Sequence, residues 1–161
     1  EVAVPNATVD TKELAAAPGD MLGKPVPSFT IKAADGKDVD DSTWKGKVSY
    51  ITFFASWCGS CKRELPEIAK WQEEFKARGF QVVAIGVDQA QSQSEGFVKQ
   101  HAPDAKITVA FDPEATAMTQ FDIAAMPTSV IVDKAGVVRR RIVGFKPEEV
   151  AELKAFIEKL L

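Results

Sequence analysis

The chain has 161 residues, of which 45% are hydrophobic and 27% are charged, as expected for one soluble domain with a core of its own. The formal net charge is −3 and the basic residues are scattered, which argues against binding to nucleic acids or anionic membranes. No window of about 18 consecutive apolar residues occurs, so these residues contain no membrane-spanning helix.

The N-terminal segment, residues 1–21, is interpreted as a tether. It is rich in Ala, Val, Thr and Pro and shows only weak periodicity. Because the chain begins at Glu1 rather than at an initiator Met, we expect that the tether followed a cleaved signal or a membrane anchor. A single domain is predicted over residues 22–161.

The predicted domain begins with three strands and a long helix. Two short strands are predicted within 25–39, around an Asp35-Gly36 turn. A strand over 48–56 follows, which is apolar enough to be buried on both faces. A helix is predicted over 60–78, because its apolar residues recur at helical spacing.

Strands and helices continue to alternate in the second half of the chain. The predicted elements are a strand over 80–88, a helix over 92–101, a strand over 107–112, a helix over 113–121, strands over 128–133 and 137–145, and a helix over 146–161. This order predicts an α/β fold with a mixed central sheet flanked by helices. Arg139, Arg140 and Arg141 fall in the last strand, and we interpret them as an exposed sheet edge.

The only two cysteines of the chain, Cys58 and Cys61, lie in the stretch FASWCGSCKRE between the buried strand and the following helix. A structural zinc site needs about four ligands, and two cysteines with the single histidine, His101, cannot supply a closed one. A structural disulfide across so short a loop removes little entropy from the unfolded chain. Redox chemistry explains both the spacing and the position.

Each cysteine has a predicted role in that chemistry. Cys58 should be exposed in the first turn of the helix, where unpaired amide groups and the helix dipole stabilise its thiolate for attack. Cys61, three residues later on the same helical face, should be the more buried sulfur that resolves the mixed disulfide. No metal is expected, and no cofactor besides the redox-active Cys58–Cys61 disulfide.

These residues resemble the thioredoxin superfamily, and within it the TlpA/ResA/CcmG-like extracytoplasmic thiol-disulfide oxidoreductases. The resemblance is carried by Trp57-Cys58-Gly59-Ser60-Cys61 after a buried strand, Pro66 in the next helix, Met126-Pro127 before a strand, and Gly144 near the end of the last strand. It covers residues 22–161 and implies a thioredoxin-like fold. The lead-in sequence and the segment 89–125 resemble that group's extra N-terminal β-hairpin and its central helix-strand insertion.

The resemblance also implies which residues bind the substrate. Pro127 should follow a cis peptide bond, and the backbone of Met126 should pair with an extended segment of the substrate. Trp57 should be partly exposed and line the groove, together with Gly59, Ser60 and Gly144. The alternative interpretations are an ordinary proline at a strand start and a packing tryptophan.

One position departs from thioredoxin itself. That family has a buried acid six residues before the first cysteine, where this chain has Thr52, whose hydroxyl cannot take a thiol proton at neutral pH. Glu64, three residues after Cys61, is expected on the same helical face and partly buried, as the acid and base of the cysteines. The alternative is a solvated glutamate on the helix surface.

The predicted function is that of a monomeric thiol-disulfide oxidoreductase that reduces protein disulfides in the periplasm or elsewhere outside the cytoplasm. The resemblance implies cytochrome c maturation or similar thiol maintenance, protein dithiols and disulfides as substrates, and a membrane-located thiol reductant upstream. Gly59 and Ser60 carry no charge, whereas strong oxidants of the superfamily have a histidine there that stabilises the reduced form.

Two other functions remain open at this point. One is a redox-switched binding or chaperone module, whose disulfide only gates an interaction. The other is a thiol peroxidase, although the Pro and Thr that peroxiredoxins place shortly before their reactive cysteine do not occur in ITFFAS.

Overall fold

The structure is a computed structural model that describes residues 21–161, so the expected tether lies, apart from Met21, outside the described residues. The strands are β1 Ile31–Ala33, β2 Asp38–Val39, β3 Val48–Phe54, β4 Phe80–Gly86, β5 Thr108–Phe111, β6 Thr128–Val132 and β7 Val138–Val143. The α-helices are α1 Cys61–Phe75, α2 Gln91–His101, α3 Thr116–Phe121 and α4 Val150–Leu160. Short 3-10 turns occupy Asp41–Thr43, Lys76–Arg78 and Pro147–Glu149.

The seven strands form one mixed sheet in the order β2-β1-β5-β4-β3-β6-β7. β4 is parallel to both β3 and β5, whereas the other neighbouring strands pair antiparallel. All seven residues of β3 are buried, because layers cover both faces of the sheet. The predicted α/β class with a mixed central sheet is confirmed.

Two hydrophobic clusters lie on opposite faces of the sheet, and successive side chains of β3 alternate between them. Helices α1, α2 and α4 cover one face, where the rings of Tyr50 and Trp71 are 5.5 Å apart. Met21, Val26 and Phe29, which precede β1, cover the other face together with α3, and there the rings of Phe53 and Phe121 are 5.2 Å apart. Within residues 21–161, no helix has the length and apolar character needed to cross a bilayer.

The expected hairpin and insertion widen one side of the sheet. β1 and β2 form the hairpin, with Ile31 opposite Val39 and with Gly36 of the turn at a φ of +86°. β5, which belongs to the 89–125 insertion, lies between that hairpin and β4. β4 is therefore an interior strand, and its carboxyl end adjoins that of β3. The carboxyl ends of the strands are where α/β folds commonly place binding and active sites.

Helix α2 lies against the end of β4 more closely than a side chain there would permit. A Cβ atom on Gly86 would lie 2.2 Å from the Oγ atom of Ser94. Gly86 thus allows α2 to contact the sheet backbone directly. Ser94 is held at the carboxyl end of β4 as a result.

The interpretation of the arginine run as an exposed edge is wrong. β7 is an edge strand, but Arg140 and Arg141 are only 5% and 2% exposed. Arg140 pairs with Glu152 of α4, and its guanidinium lies 5.3 Å from the ring centroid of Phe156. Arg141 points to the other face and donates a 2.9 Å hydrogen bond to the carbonyl of Phe121. The two guanidiniums therefore join β7 to the elements that cover both faces of the sheet.

Candidate active site

Cys58 and Cys61 lie where the carboxyl end of β3 leads into α1. They form a disulfide, with their Cα atoms 5.4 Å apart. The helix begins at Cys61, so the expectation that Cys58 occupies its first turn is wrong. The N–H of Cys58 instead donates over 3.1 Å to the carbonyl of Ala55, which forms a separate turn before the helix.

The two cysteines differ slightly in exposure. Cys58 is 4% exposed and Cys61 is fully buried. The order of accessibility agrees with the expectation, although Cys58 is much less exposed in the disulfide form than predicted. Cys58 is thus the slightly more accessible residue of the pair.

The residues expected around the substrate lie at the same end of the fold. Trp57 is 72% exposed, and Met126 packs against the hydrophobic cluster that contains both cysteines. The peptide bond between Met126 and Pro127 is cis, as the resemblance implies. The N–H of Gly144, at a φ of +85°, donates over 2.8 Å to the carbonyl of Pro127, which ties β7 to this loop.

Glu64 is fully buried, one helical turn after Cys61, which excludes the interpretation of a solvated helix residue. Three hydroxyl groups surround its carboxylate. Oε1 accepts a 2.7 Å hydrogen bond from Thr52, and Oε2 accepts 2.8 Å bonds from Tyr50 and from Ser129. All three hydroxyls project from the face of the sheet on which α1 packs, so the strands supply the solvation that water would otherwise provide.

Burial and hydrogen bonding act in opposite directions on this carboxyl group. Desolvation raises the pKa of Glu64, and the three hydroxyl donors partly offset that rise because they stabilise the charged form. The pKa of Tyr50 is raised well above its usual value, first by burial and then by the negative charge of Glu64. Tyr50 therefore keeps its phenolic proton near neutral pH and donates it to the Glu64 carboxylate in a hydrogen bond.

A second buried acid, Asp88, anchors the segment before the cysteines. It follows β4 and is 6% exposed. Its carboxylate accepts hydrogen bonds from the N–H of Ser56, at 3.1 and 3.2 Å, and from the Ser56 hydroxyl at 2.8 Å. It also accepts a 2.8 Å bond from Ser94 of α2. Asp88 thus fixes the backbone immediately before Trp57.

Sequence analysis did not identify Tyr50, Ser129 or Asp88 as site residues. A signal was present, because a polar side chain within or just after a strand that is buried on both faces must find a hydrogen-bonding partner. Tyr50 and Thr52 also share one strand face, since they are two residues apart. Among residues 21–161, no group of three or more His, Cys, Asp or Glu side chains could hold a metal ion.

Comparison with known proteins identifies the family of this chain. The sequence model of the redoxin family matches residues 21–157. The chain belongs to the redoxin family.

Relatives of this redoxin are thiol-disulfide oxidoreductases. A ResA of Bacillus cereus is 29% identical over 140 residues, which are 87% of this chain and 79% of that protein. ResA of Bacillus subtilis is 27% identical over 126 residues, 78% of this chain and 69% of that protein. A Chlorobium tepidum crystal structure, described as a thiol:disulfide interchange protein DsbE, has a TM-score of 0.80 at 35% identity and covers 86% of this chain and 96% of its own.

This redoxin is a thiol-disulfide oxidoreductase with a thioredoxin-like fold, which confirms the predicted class of enzyme. Its Cys58–Cys61 pair provides the disulfide that such an enzyme needs. Proteins that carry disulfides or dithiols are the general kind of substrate for this chemistry.

Asp88→Asn should lower the free energy of unfolding by about 1–3 kcal/mol, because an amide replaces one of the two oxygens that accept the Ser56 and Ser94 hydroxyls. Thiol-disulfide exchange should slow as well, since the backbone before Trp57 loses its anchor. Urea denaturation and insulin reduction measure the two effects. Asp104→Asn, at an exposed site, is the control, and equal stability of the two variants would contradict the anchoring role.

Glu64→Gln should change how the stability of the oxidised protein depends on pH. The pKa of Glu64 is raised in the folded state, so the folded protein holds this proton more tightly than the unfolded chain does. The stability that Glu64 contributes should be fully present below the unfolded pKa and should be lost as pH rises through the raised folded pKa. Gln cannot titrate, so the difference in unfolding free energy, wild type minus variant, should fall across that window in urea denaturation from pH 4 to 8. A constant difference would mean that burial leaves this carboxyl unperturbed.

Proposed function

We propose that this redoxin reduces protein disulfides, with Cys58 as the attacking sulfur and Cys61 as the resolving sulfur. The observation that carries the proposal is the difference in access, because Cys58 retains some exposed surface beside the exposed Trp57, whereas Cys61 has none. This difference favours Cys58 over Cys61 as the first sulfur to meet a substrate disulfide.

The proposed cycle consists of two exchange steps. The thiolate of Cys58 attacks one sulfur of a substrate disulfide and displaces the other substrate sulfur as a thiolate. Cys61 then loses its proton and attacks the sulfur of Cys58, which releases the second substrate sulfur and forms the Cys58–Cys61 disulfide. The substrate gains two electrons and the enzyme loses two, which an upstream thiol reductant must restore.

Glu64 is the proposed acceptor of the proton that Cys61 loses. It lies one turn after Cys61 on α1, and both side chains are fully buried, so water has little access to the proton. Because burial raises the pKa of Glu64, its affinity for a proton is closer to that of a thiol than an exposed glutamate's would be. The same group can return the proton when the disulfide is reduced again.

The proposed substrate surface lies around Cys58. It consists of Trp57, Gly59, Ser60, Met126, Pro127 and Gly144. A Cβ atom added at Gly59 or Gly144 would meet no atom within 4 Å, so open space adjoins both positions. An extended segment of a protein substrate would pair with the backbone of Met126 and lie across the indole of Trp57.

The proposed setting is outside the cytoplasm, in the periplasm or an equivalent compartment. The enzyme would act there as a monomer, with residues 22–161 as the domain and residues 1–21 as a tether. Cytochrome c maturation or similar thiol maintenance would be its task, and a membrane-located thiol reductant its electron donor. The similarity to ResA over 87% of the chain supports this setting.

The reduction potential tests the proposed direction of electron flow. Gly59 and Ser60 place no positive charge between the cysteines, so the thiolate form gains no such stabilisation. Equilibration of the Cys58–Cys61 pair with glutathione and dithiothreitol buffers should therefore give a potential below that of glutathione. A potential near about −120 mV, as strong oxidants have, would contradict a role as a reductant.

Cys61→Ser should accumulate a covalent adduct with a protein disulfide such as insulin, because the sulfur that resolves the mixed disulfide is missing. Cys58→Ser is the matched control and should form no comparable adduct, since Cys61 is buried. Mass spectrometry with and without dithiothreitol identifies the adducts. Adducts that form only with Cys58→Ser would reverse the proposed roles of the attacking and resolving cysteines. A wild-type protein that binds insulin without accelerating its reduction by dithiothreitol would favour the redox-switched binding module.

A further inference from the structure

The hydroxyl groups around Glu64 form a closed ring with its carboxyl group. Thr52 contacts Oε1 at 2.7 Å, Ser129 contacts Oε2 at 2.8 Å, and the two hydroxyl oxygens are themselves 3.0 Å apart. The strand register produces this arrangement, because Thr52 of β3 lies directly opposite Ser129 of β6. Tyr50 contacts Oε2 from outside the ring at 2.8 Å.

The number of protons in this ring decides what it can do. Each hydroxyl has one proton to donate, so Thr52 and Ser129 together can fill two of the three contacts. When Glu64 is ionised, both protons point to the carboxylate, and the contact between Thr52 and Ser129 contains no proton. The ring is then one proton short of full hydrogen bonding.

Protonation of Glu64 supplies the missing proton. If the proton is on Oε2, it is donated to the oxygen of Ser129, the proton of Ser129 turns to Thr52, and Thr52 continues to donate to Oε1. All three contacts are then hydrogen bonds, and each buried donor has an acceptor. The only movement needed is a rotation of one hydroxyl group.

We propose that Glu64, Thr52 and Ser129 form a hydrogen-bonded ring that takes up and releases one proton in place, and that Tyr50 is a fixed donor outside the ring. Thr52, Ser129 and Tyr50 are positioning residues, since they act on the cysteines only through Glu64. This inference rests on the proposed role of Glu64 as the proton acceptor of Cys61. The ring provides what that role requires, because the carboxyl group can change its charge without leaving a buried donor unpaired.

Other charged and titratable groups face this ring from the elements packed around it. Cys61 precedes Glu64 on α1, and Cys58 belongs to the same cluster. Arg140 of β7 acts on Tyr50 through its positive charge and is paired with Glu152 of α4. The substitutions proposed below leave all of these groups in place, so a change in titration reports the hydroxyls.

Hydroxyls inside and outside the ring should have different effects on Glu64. Tyr50→Phe removes a donor that favours the ionised form, and it leaves the ring intact in the neutral form. The proton affinity of Glu64 should therefore rise about tenfold, a displacement of about one pH unit. Ser129→Ala removes hydrogen bonds from both protonation states of Glu64. The ionised carboxylate loses the donor Ser129, and the neutral carboxyl group loses the acceptor that completes the ring. Its effect should therefore be smaller than that of Tyr50→Phe.

The chemical shift of the Glu64 carboxyl carbon, followed by 13C NMR as a function of pH in the oxidised protein, measures both effects. Ser49→Ala is the matched control, because it removes another buried hydroxyl from β3. The Ser49 hydroxyl accepts a hydrogen bond from Gln81 and does not contact Glu64. The control should titrate like the wild type. An unchanged titration in Tyr50→Phe would overturn the role of Tyr50, and a displacement in Ser129→Ala as large as that in Tyr50→Phe would overturn the ring.

Exchange kinetics separate this inference from the proposed function. If Glu64 is the proton acceptor, Glu64→Gln should slow insulin reduction near neutral pH, and Tyr50→Phe should displace the pH profile of exchange to higher pH. If Glu64→Gln exchanges at the wild-type rate at every pH, the proposed role of Glu64 fails. The NMR titration would still decide whether the hydroxyl ring controls its proton.

Discussion

The hydrogen bonding of the buried Glu64 carboxylate is the constraint on which the rest of the site depends. An ionisable group without exposed surface is tolerated only where protein donors replace water, and here the strands supply three hydroxyl donors. Those bonds, together with the buried apolar face of α1, fix how the helix is rotated about its axis on the sheet. Because Cys61 lies one turn before Glu64 on the same helical face, the rotation that satisfies the carboxylate also buries Cys61.

Asp88 constrains the opposite end of the same segment. It holds Ser56 at the end of β3, while Glu64 holds the first turn of α1, so the chain between them is attached to the core at both ends. The chain between these two anchors consists of residues 57–60. It includes Trp57, which has the most exposed large hydrophobic side chain of the described residues. Two buried acids thus hold both ends of one short turn, on which Trp57 is exposed.

The sequence was informative where a pattern is local. The order of strands and helices follows from hydrophobic periodicity, and the position of Glu64 one turn after Cys61 follows from helical geometry. What could not be predicted depends on register between distant segments, since Ser129 and Thr52 are 77 residues apart. The interpretation of the arginine run as an exposed edge failed for the same reason. The pairing of Arg140 with Glu152 of α4 cannot be identified without the fold. The start of α1 at Cys61 depends on a turn at Cys58 that no periodicity reveals.

The residue at position 52 suits an acid that lies on the helix and not on the strand. Thioredoxin has a buried acid at this strand position, whereas here the Thr52 hydroxyl lies 2.7 Å from the Glu64 carboxylate. A carboxylate at position 52 would lie against that of Glu64, and two buried like charges at such a distance cannot both ionise. An acid at position 52 would therefore share a single charge with Glu64, whereas the Thr52 hydroxyl donates a hydrogen bond to the ionised carboxylate. Glu64 then belongs to the same helix as Cys61, so its carboxyl group and this cysteine keep a fixed relative position.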